Sequence, residues 1–254
     1  MTPSSTLPDA EVTAYERELA EHLGVEHVVA VSSGTAALQT ALDAVGIQPG
    51  DEVLVPALSV VMSAAPVAHL GARPIFVDCN TDGTDFDYDD LARKTSEHTA
   101  AVLPVHLWGR AGDTASLRRF ADDRTLAVVA DACQSLGTTI DGVQVGTDAT
   151  IGCFSTHELK ILSTGEGGFL TIGDSYLASR AHAYRSHWLN PPRGQRPLSR
   201  LAHNFRLAEP LAAIGRRELA HIDELIQQRI EQTTLLLDLL ADLPQIRPGK
   251  VPIG

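Results

Sequence analysis

The sequence predicts an α/β fold, a mainly parallel central sheet with helices on both faces. Three observations carry this. From residue 27 onward, apolar runs of strand length alternate with helical patterns, the order that builds strand–helix–strand units. The polar residues of chemical interest fall just after those runs, where such sheets bind ligands. And 44% hydrophobic residues in a chain of 254 are enough for a sizeable core.

Taken in order, residues 9–23 place Val12, Tyr15, Leu19 and Leu23 at helical spacing, with Gly24 as a C-terminal cap signal. His27–Val31 reads as a strand and Thr35–Val45 as an Ala/Leu helix. After the Pro49-Gly50 turn, Glu52–Pro56 is a second strand, and a helix of small residues follows near Val61–Leu70. Pro74–Val77, Ala101–Val105 and Leu126–Ala130 read as strands three to five, with a helix at Thr114–Ala121. Two short strands, Ala149–Ser155 and Gly168–Ile172, bracket the segment THELKILSTGEG. Asp174–Arg185 is a helix, 187–200 a Pro/Gly/Arg-rich loop, and the pattern is helical again from Glu209 to about Leu243, with one long helix running over Ile222, Leu225, Ile226 and Ile230.

The bulk numbers exclude several function classes. A formal charge of −12 argues against a nucleic-acid surface, because phosphate-backbone binding draws on clustered Lys and Arg. No apolar run approaches the ~18 residues of a membrane span, and the N-terminus has no basic segment followed by an apolar core, so a cytoplasmic location is expected. Cys79, Cys133 and Cys153 lack CxxC spacing and read as small residues of a reducing compartment. No HExxH or Cys/His cluster suggests a metal. The acidic run Asp82–Asp90 misses the EF-hand spacing and reads as a solvated loop.

Chemistry points first to Lys160, one of only three lysines with Lys94 and Lys250. Its apolar neighbours Leu159, Ile161 and Leu162 and the glycines beyond suggest an amine stripped of water, and the neutral amine is the form that attacks an aldehyde. The plain alternative is a surface loop lysine. Asp131 ends an apolar strand; it is either a helix N-cap or a carboxylate that keeps a pyridine nitrogen protonated so that the ring accepts electrons. Ser33-Gly34-Thr35 between strand and helix offers backbone N–H groups and two hydroxyls to a phosphate, though such turns use these residues routinely. The absence of GxGxxG after the first strand, and of a Lys after Gly34, removes the dinucleotide and Walker readings. His157 and His106 are candidate site residues or plain polar core residues.

Together these features resemble the DegT/DnrJ type of sugar aminotransferase, a pyridoxal 5'-phosphate (PLP) family of fold type I. The matching stretches are AVSSGTAAL (30–38), PGDEV (49–53) with Pro56, GARP (71–74) with Phe76-Val77-Asp78, DACQ (131–134), FSTHELK (154–160), TGEGG (164–168) and NFR (204–206). Their order fits the family over about residues 10–240. The resemblance implies that Lys160 bonds the cofactor aldehyde and shuttles a proton, that Asp131 pairs with the ring nitrogen and Gln134 with the ring hydroxyl, and that Gly34, Thr35 and Ser155 bind the phosphate. It further implies that His157 supports the lysine and that Asn204 reaches the phosphate of a neighbouring subunit, which makes a homodimer the expected unit. Sugar dehydratases of the family carry His at the position of Lys160, so the lysine favours transamination. An amino group would pass from glutamate or glutamine to a keto sugar, typically nucleotide-linked, or to a keto cyclitol, in secondary-metabolite or cell-surface sugar biosynthesis.

Two departures qualify the expectation. Val60 falls where the family stacks an aromatic residue on the cofactor; losing a stacking contact of roughly 0.5–1.5 kcal/mol is expected to weaken cofactor retention by ~10-fold. The small C-terminal domain of the family is largely absent. The expected division is 1–24 an N-terminal helical segment, 25–220 the PLP-binding large domain, and 221–254 a connecting helix with the start of the truncated domain. The alternatives are a truncated, non-catalytic homologue that binds PLP or a partner subunit, and a PLP-dependent sugar dehydratase.

Overall fold

The computed structural model describes residues 10–81, 83, 85–243 and 245–246; the parts of the first and last expected segments that fall before residue 10 and after residue 246, Lys250 among them, lie outside these. In chain order the elements are α1 (Ala10–Leu23), β1 (His27–Val31), α2 (Gly34–Val45), β2 (Glu52–Pro56), α3 (Val61–His69), β3 (Arg73–Val77), α4 (Tyr88–Lys94), β4 (Thr99–Val102), α5 (Thr114–Asp122), β5 (Ala127–Asp131), β6 (Thr139–Ile140), β7 (Val143–Gln144), β8 (Ile151–Ser155), β9 (Gly168–Ile172), α6 (Ser175–Arg185), α7 (Glu209–Leu219) and α8 (Ile222–Leu240). Seven strands form one sheet in the order β1-β9-β8-β5-β4-β2-β3, and β6 and β7 form a separate small hairpin. Strands β3, β2, β4, β5 and β8 are mutually parallel, whereas β9 runs antiparallel to both neighbours, β8 and β1.

Strand residues alternate between two faces, and both are covered. Val29 and Val31 of β1 and Val53 and Val55 of β2 pack with Leu38, Leu42, Val67 and Ala181 of α2, α3 and α6. On the opposite face Val28 and Ala30 pack with Tyr15 and Leu19 of α1 and Ala212 and Leu219 of α7, over the stacked rings of Phe154 and Phe169. Further along that face, Leu54 and Val102 meet Leu91 of α4 and Leu117 of α5. This two-sided cover explains why the strands read as continuous apolar runs.

Helix ends follow local chemistry. Ser33 caps α2 by accepting from Ala36 N, and Gly46 closes that helix at φ 98°. The acidic run is not all loop: Asp87 accepts from the N–H groups of Asp89 and Asp90 and starts α4, so a stretch that reads as solvated contributes a capped helix. The helical pattern from Glu209 divides at Ala220-His221 into α7 and α8, with no Gly or Pro to signal it. Leu219 and Ile222, on either side of the break, are both buried in the core formed with α1. Beyond this point Ile230, Leu235, Leu236 and Leu239 of α8 are exposed.

Candidate active site

The carboxyl ends of β1, β2, β4, β5 and β8 converge on one cavity of about 370 Å³. The structure brings eight of the nine expected site residues to its lining: Gly34, Thr35, Val60, Asp131, Gln134, Ser155, His157 and Lys160. Asn204 is not among the lining residues; it is exposed, bridged to Ser186.

Lys160 sits on an excursion between the adjacent antiparallel strands β8 and β9. Its neck is closed by Thr156 N donating to Gly167 O (2.9 Å), Thr164 N donating to Thr156 O (2.8 Å), and the two threonine hydroxyls 2.7 Å apart, all buried. A turn within the excursion, Lys160 N to His157 O at 2.8 Å, aims the lysine back at the cavity. His157 Nδ1 accepts from Leu159 N (3.2 Å), and its Nε2 lies 3.7 Å from Glu166 Oε1. The expected apolar jacket around the amine is only partly there: Leu162 is buried in the core with Ile161 packed beside it, whereas Leu159 is 82% exposed and Lys160 only half-buried. The tip of the excursion at Glu158-Leu159 projects outward.

Asp131 closes β5 and is 5% exposed. Its Oδ1 accepts from Cys133 N (3.2 Å) and its Oδ2 from Ser63 Oγ (2.7 Å), a hydroxyl delivered by α3. Among the described residues Asp131 therefore caps no long helix; its carboxylate is held in the cavity wall. Burial, and then the neighbouring Asp131 charge, push the Cys133 thiol well above its usual range, so it stays neutral.

At the N-terminus of α2, Ala36 N bonds Ser33 Oγ and Ala37 N bonds Ser33 O. The N–H groups of Gly34 and Thr35 have no partner among the described residues, so the cavity end of α2 presents free donors of the kind that suit an anion. Gly34 is required by close approach: a Cβ there would stand 2.8 Å from both Cys133 Sγ and Ser155 Cβ. Gln134 Oε1 accepts from Trp108 N (3.0 Å). Val60, at the start of α3, and Met62 supply an aliphatic wall.

His106 lines the same cavity and is almost fully buried. Burial holds its imidazole at about 4, below the usual 6.5, against the pull of the Asp131 and Asp148 carboxylates. The unfolded chain therefore takes up a proton below pH 6.5 that the folded chain refuses. Stability from this group is fully present above about pH 6.5 and is lost as pH falls toward about 4. The loss is expected to reach up to about 3 kcal/mol. Urea midpoints at pH 7 and pH 4.5 check this: His106→Gln should lose less stability on acidification than the wild type.

Sequence reading missed Met62 and Cys133 as cavity residues, and Ser63, which holds Asp131 from behind the lining. Cys133, two residues after Asp131 at a strand end, carried a usable signal. Ser63 carried none, since it lies in a run of small helical residues 68 positions from the carboxylate it bonds. Among the described residues no group of His, Cys, Asp and Glu side chains could hold a metal, and no helix is long and apolar enough to cross a membrane.

A covered α/β sheet that sets a lysine and a buried carboxylate on one cavity, beside a helix N-terminus, is the arrangement expected of a fold-type I PLP protein. The family comparison agrees, and the chain belongs to the DegT/DnrJ/EryC1/StrS aminotransferase family, whose model matches residues 5–252; PLP is the cofactor of that family. Curated relatives include the GDP-perosamine synthase of Vibrio cholerae, 32% identical over 92% of this chain and 63% of the relative. Another is the dTDP-3-amino-3,4,6-trideoxy-alpha-D-glucose transaminase of Streptomyces venezuelae, 36% identical over 93% of this chain and 62% of the relative. Among solved structures, S. venezuelae DesV in complex with a ketimine intermediate superposes with a TM-score of 0.89 at 35% identity, over 96% of this chain and 65% of that one. The chain thus spans a little under two thirds of the length of these relatives.

Proposed function

We propose that this chain is the cofactor-binding part of an aminotransferase that moves an amino group from glutamate or glutamine to the keto group of a nucleotide-linked sugar. The observation that carries the reading is the opening of Lys160, Asp131 and the free N–H groups of Gly34 and Thr35 onto one cavity. Both relatives named above make a nucleotide-linked amino sugar, which supports that acceptor class.

The residues fit PLP by charge and shape. Gly34, Thr35 and Ser155 would take the phosphate at the helix terminus. Asp131 would face the ring nitrogen and hold a proton on it, and Gln134 would lie by the ring hydroxyl. When bound, the cofactor supplies an aldehyde carbon and an electron-accepting ring. Lys160 Nζ would bond that carbon and then, once freed by the amino donor, carry a proton between the two carbons that exchange the amino group. His157 and Glu166 would steady the excursion that carries the lysine. Asn204, exposed and outside the cavity, would serve a second subunit of a homodimer.

The test is a titration of the purified chain with PLP, followed by glutamate or glutamine. A visible absorbance band should form and then be lost as the donor passes its amino group to the cofactor. A chain that stays colourless with PLP in excess sinks the reading. A band that persists through both donors marks the non-catalytic alternative.

A further inference from the structure

We infer that Ser63 is a positioning residue for Asp131, holding its carboxylate through a hydroxyl relay that begins at Ser59. The inference rests on the site reading above. Ser63 is fully buried in the first turn of α3, and its Oγ lies 2.7 Å from Asp131 Oδ2, 68 residues away in sequence. A helical serine ordinarily bonds back to a carbonyl of its own helix; this one reaches across to the end of β5 instead.

The proton order along the relay follows from valence. A carboxylate can only accept, so Ser63 must give its single hydroxyl proton to Asp131. Ser59 Oγ is 2.8 Å from Ser63 Oγ, and with Ser63's proton committed, Ser59 must be the donor of that pair. The chain runs Ser59 to Ser63 to Asp131 in one direction. With Cys133 N on Oδ1, each carboxylate oxygen has one fixed donor, which sets the carboxylate plane while Asp131 remains in the cavity lining. The same bond pins the start of α3, from which Val60 and Met62 form the aliphatic wall. A positioned carboxylate and a positioned wall on the same cofactor ring are thus set by one hydroxyl.

The test compares wild type, Ser63→Ala, Ser63→Thr and Ser59→Ala in the full chain. It measures the PLP dissociation constant and the 15N resonance of PLP labelled at the ring nitrogen. Ser63→Ala is expected to weaken PLP by about 10-fold, the scale of a hydrogen bond to a charged group, and to move the ring-nitrogen resonance. Ser63→Thr keeps the hydroxyl and should restore both. Ser59→Ala leaves the Ser63 proton on Asp131 and should have the smaller effect. Should Ser63→Ala fail to fold, Ser63→Cys, with its weak donor, should show the same loss. Wild-type binding of PLP with Ser63→Ala within twofold and an unmoved resonance overturns the relay alone. So does an effect of Ser59→Ala as large as that of Ser63→Ala, or a Ser63→Thr variant as impaired as alanine. A wild-type chain that takes up no PLP overturns the site reading and this inference with it.

Discussion

Lys160→Ala is expected to abolish the visible band formed with PLP and to slow amino transfer from the donor to the cofactor by about 10³-fold or more, because in the proposed site one amine would serve as both nucleophile and proton carrier. The alternative amines are few. The sequence has only Lys94 and Lys250 besides Lys160, and Lys94 is engaged on α4, its Nζ 2.8 Å from Asp90 Oδ2 and donating to Phe76 O. Borohydride reduction followed by peptide mapping should therefore place the phosphopyridoxyl group on the Lys160 peptide alone. Lys160→Arg separates charge from nucleophilicity, since a guanidinium stays protonated. It should be as inactive as alanine; a Lys160→Arg chain with wild-type turnover would refute the assignment.

Asp131→Asn is expected to retain the side-chain shape but lose the charge proposed to hold a proton on the ring nitrogen. Removing one preorganised electrostatic partner costs on the order of 10²–10³ in rate. Cofactor affinity should fall far less, by roughly 10-fold or under, because the N–H groups proposed to take the phosphate at Gly34 and Thr35, and the lysine, remain. Stopped-flow measurement of the donor half-reaction against a PLP titration reads the two effects separately. Equal losses in both would assign Asp131 to binding rather than to the ring's chemistry. Substitution at this position also leaves Ser63 and Cys133 N with altered partners, so a small drop in thermal stability should accompany the kinetic one.

The aliphatic wall has a consequence for the same titration. Val60 and Met62 offer no ring to stack on the cofactor, so Val60→Phe should tighten PLP, by about 10-fold at most. A weakened affinity in that variant would show that the cavity is already filled to its shape.

Much of the fold could be read from residues 10–243 because its signals are local. Apolar runs, the Ser33 cap, Gly24 and Gly46 at helix ends, and the glycine-flanked lysine segment each act over a few residues. The division of α7 from α8 at Ala220-His221 could not be read, because no Gly or Pro marks it and the helical spacing of apolar residues runs on across it. Nor could the exposure of Leu159, which depends on where an excursion between β8 and β9 projects.

The chain alone determined the succession of strands and helices along it, the candidate lysine and carboxylate, and the family, since short-range propensity and ordered motifs survive without coordinates. The tertiary structure decided which side chains share a cavity and which hydroxyl faces which oxygen. Ser63 and Asp131 meet because parallel strands bring their carboxyl ends, and the helices that follow them, to the same edge of the sheet. Hydrogen bonds of that kind have no sequence period, and only the packing of α3 against α2, β2 and β3, which brings Ser63 to the end of β5, creates them.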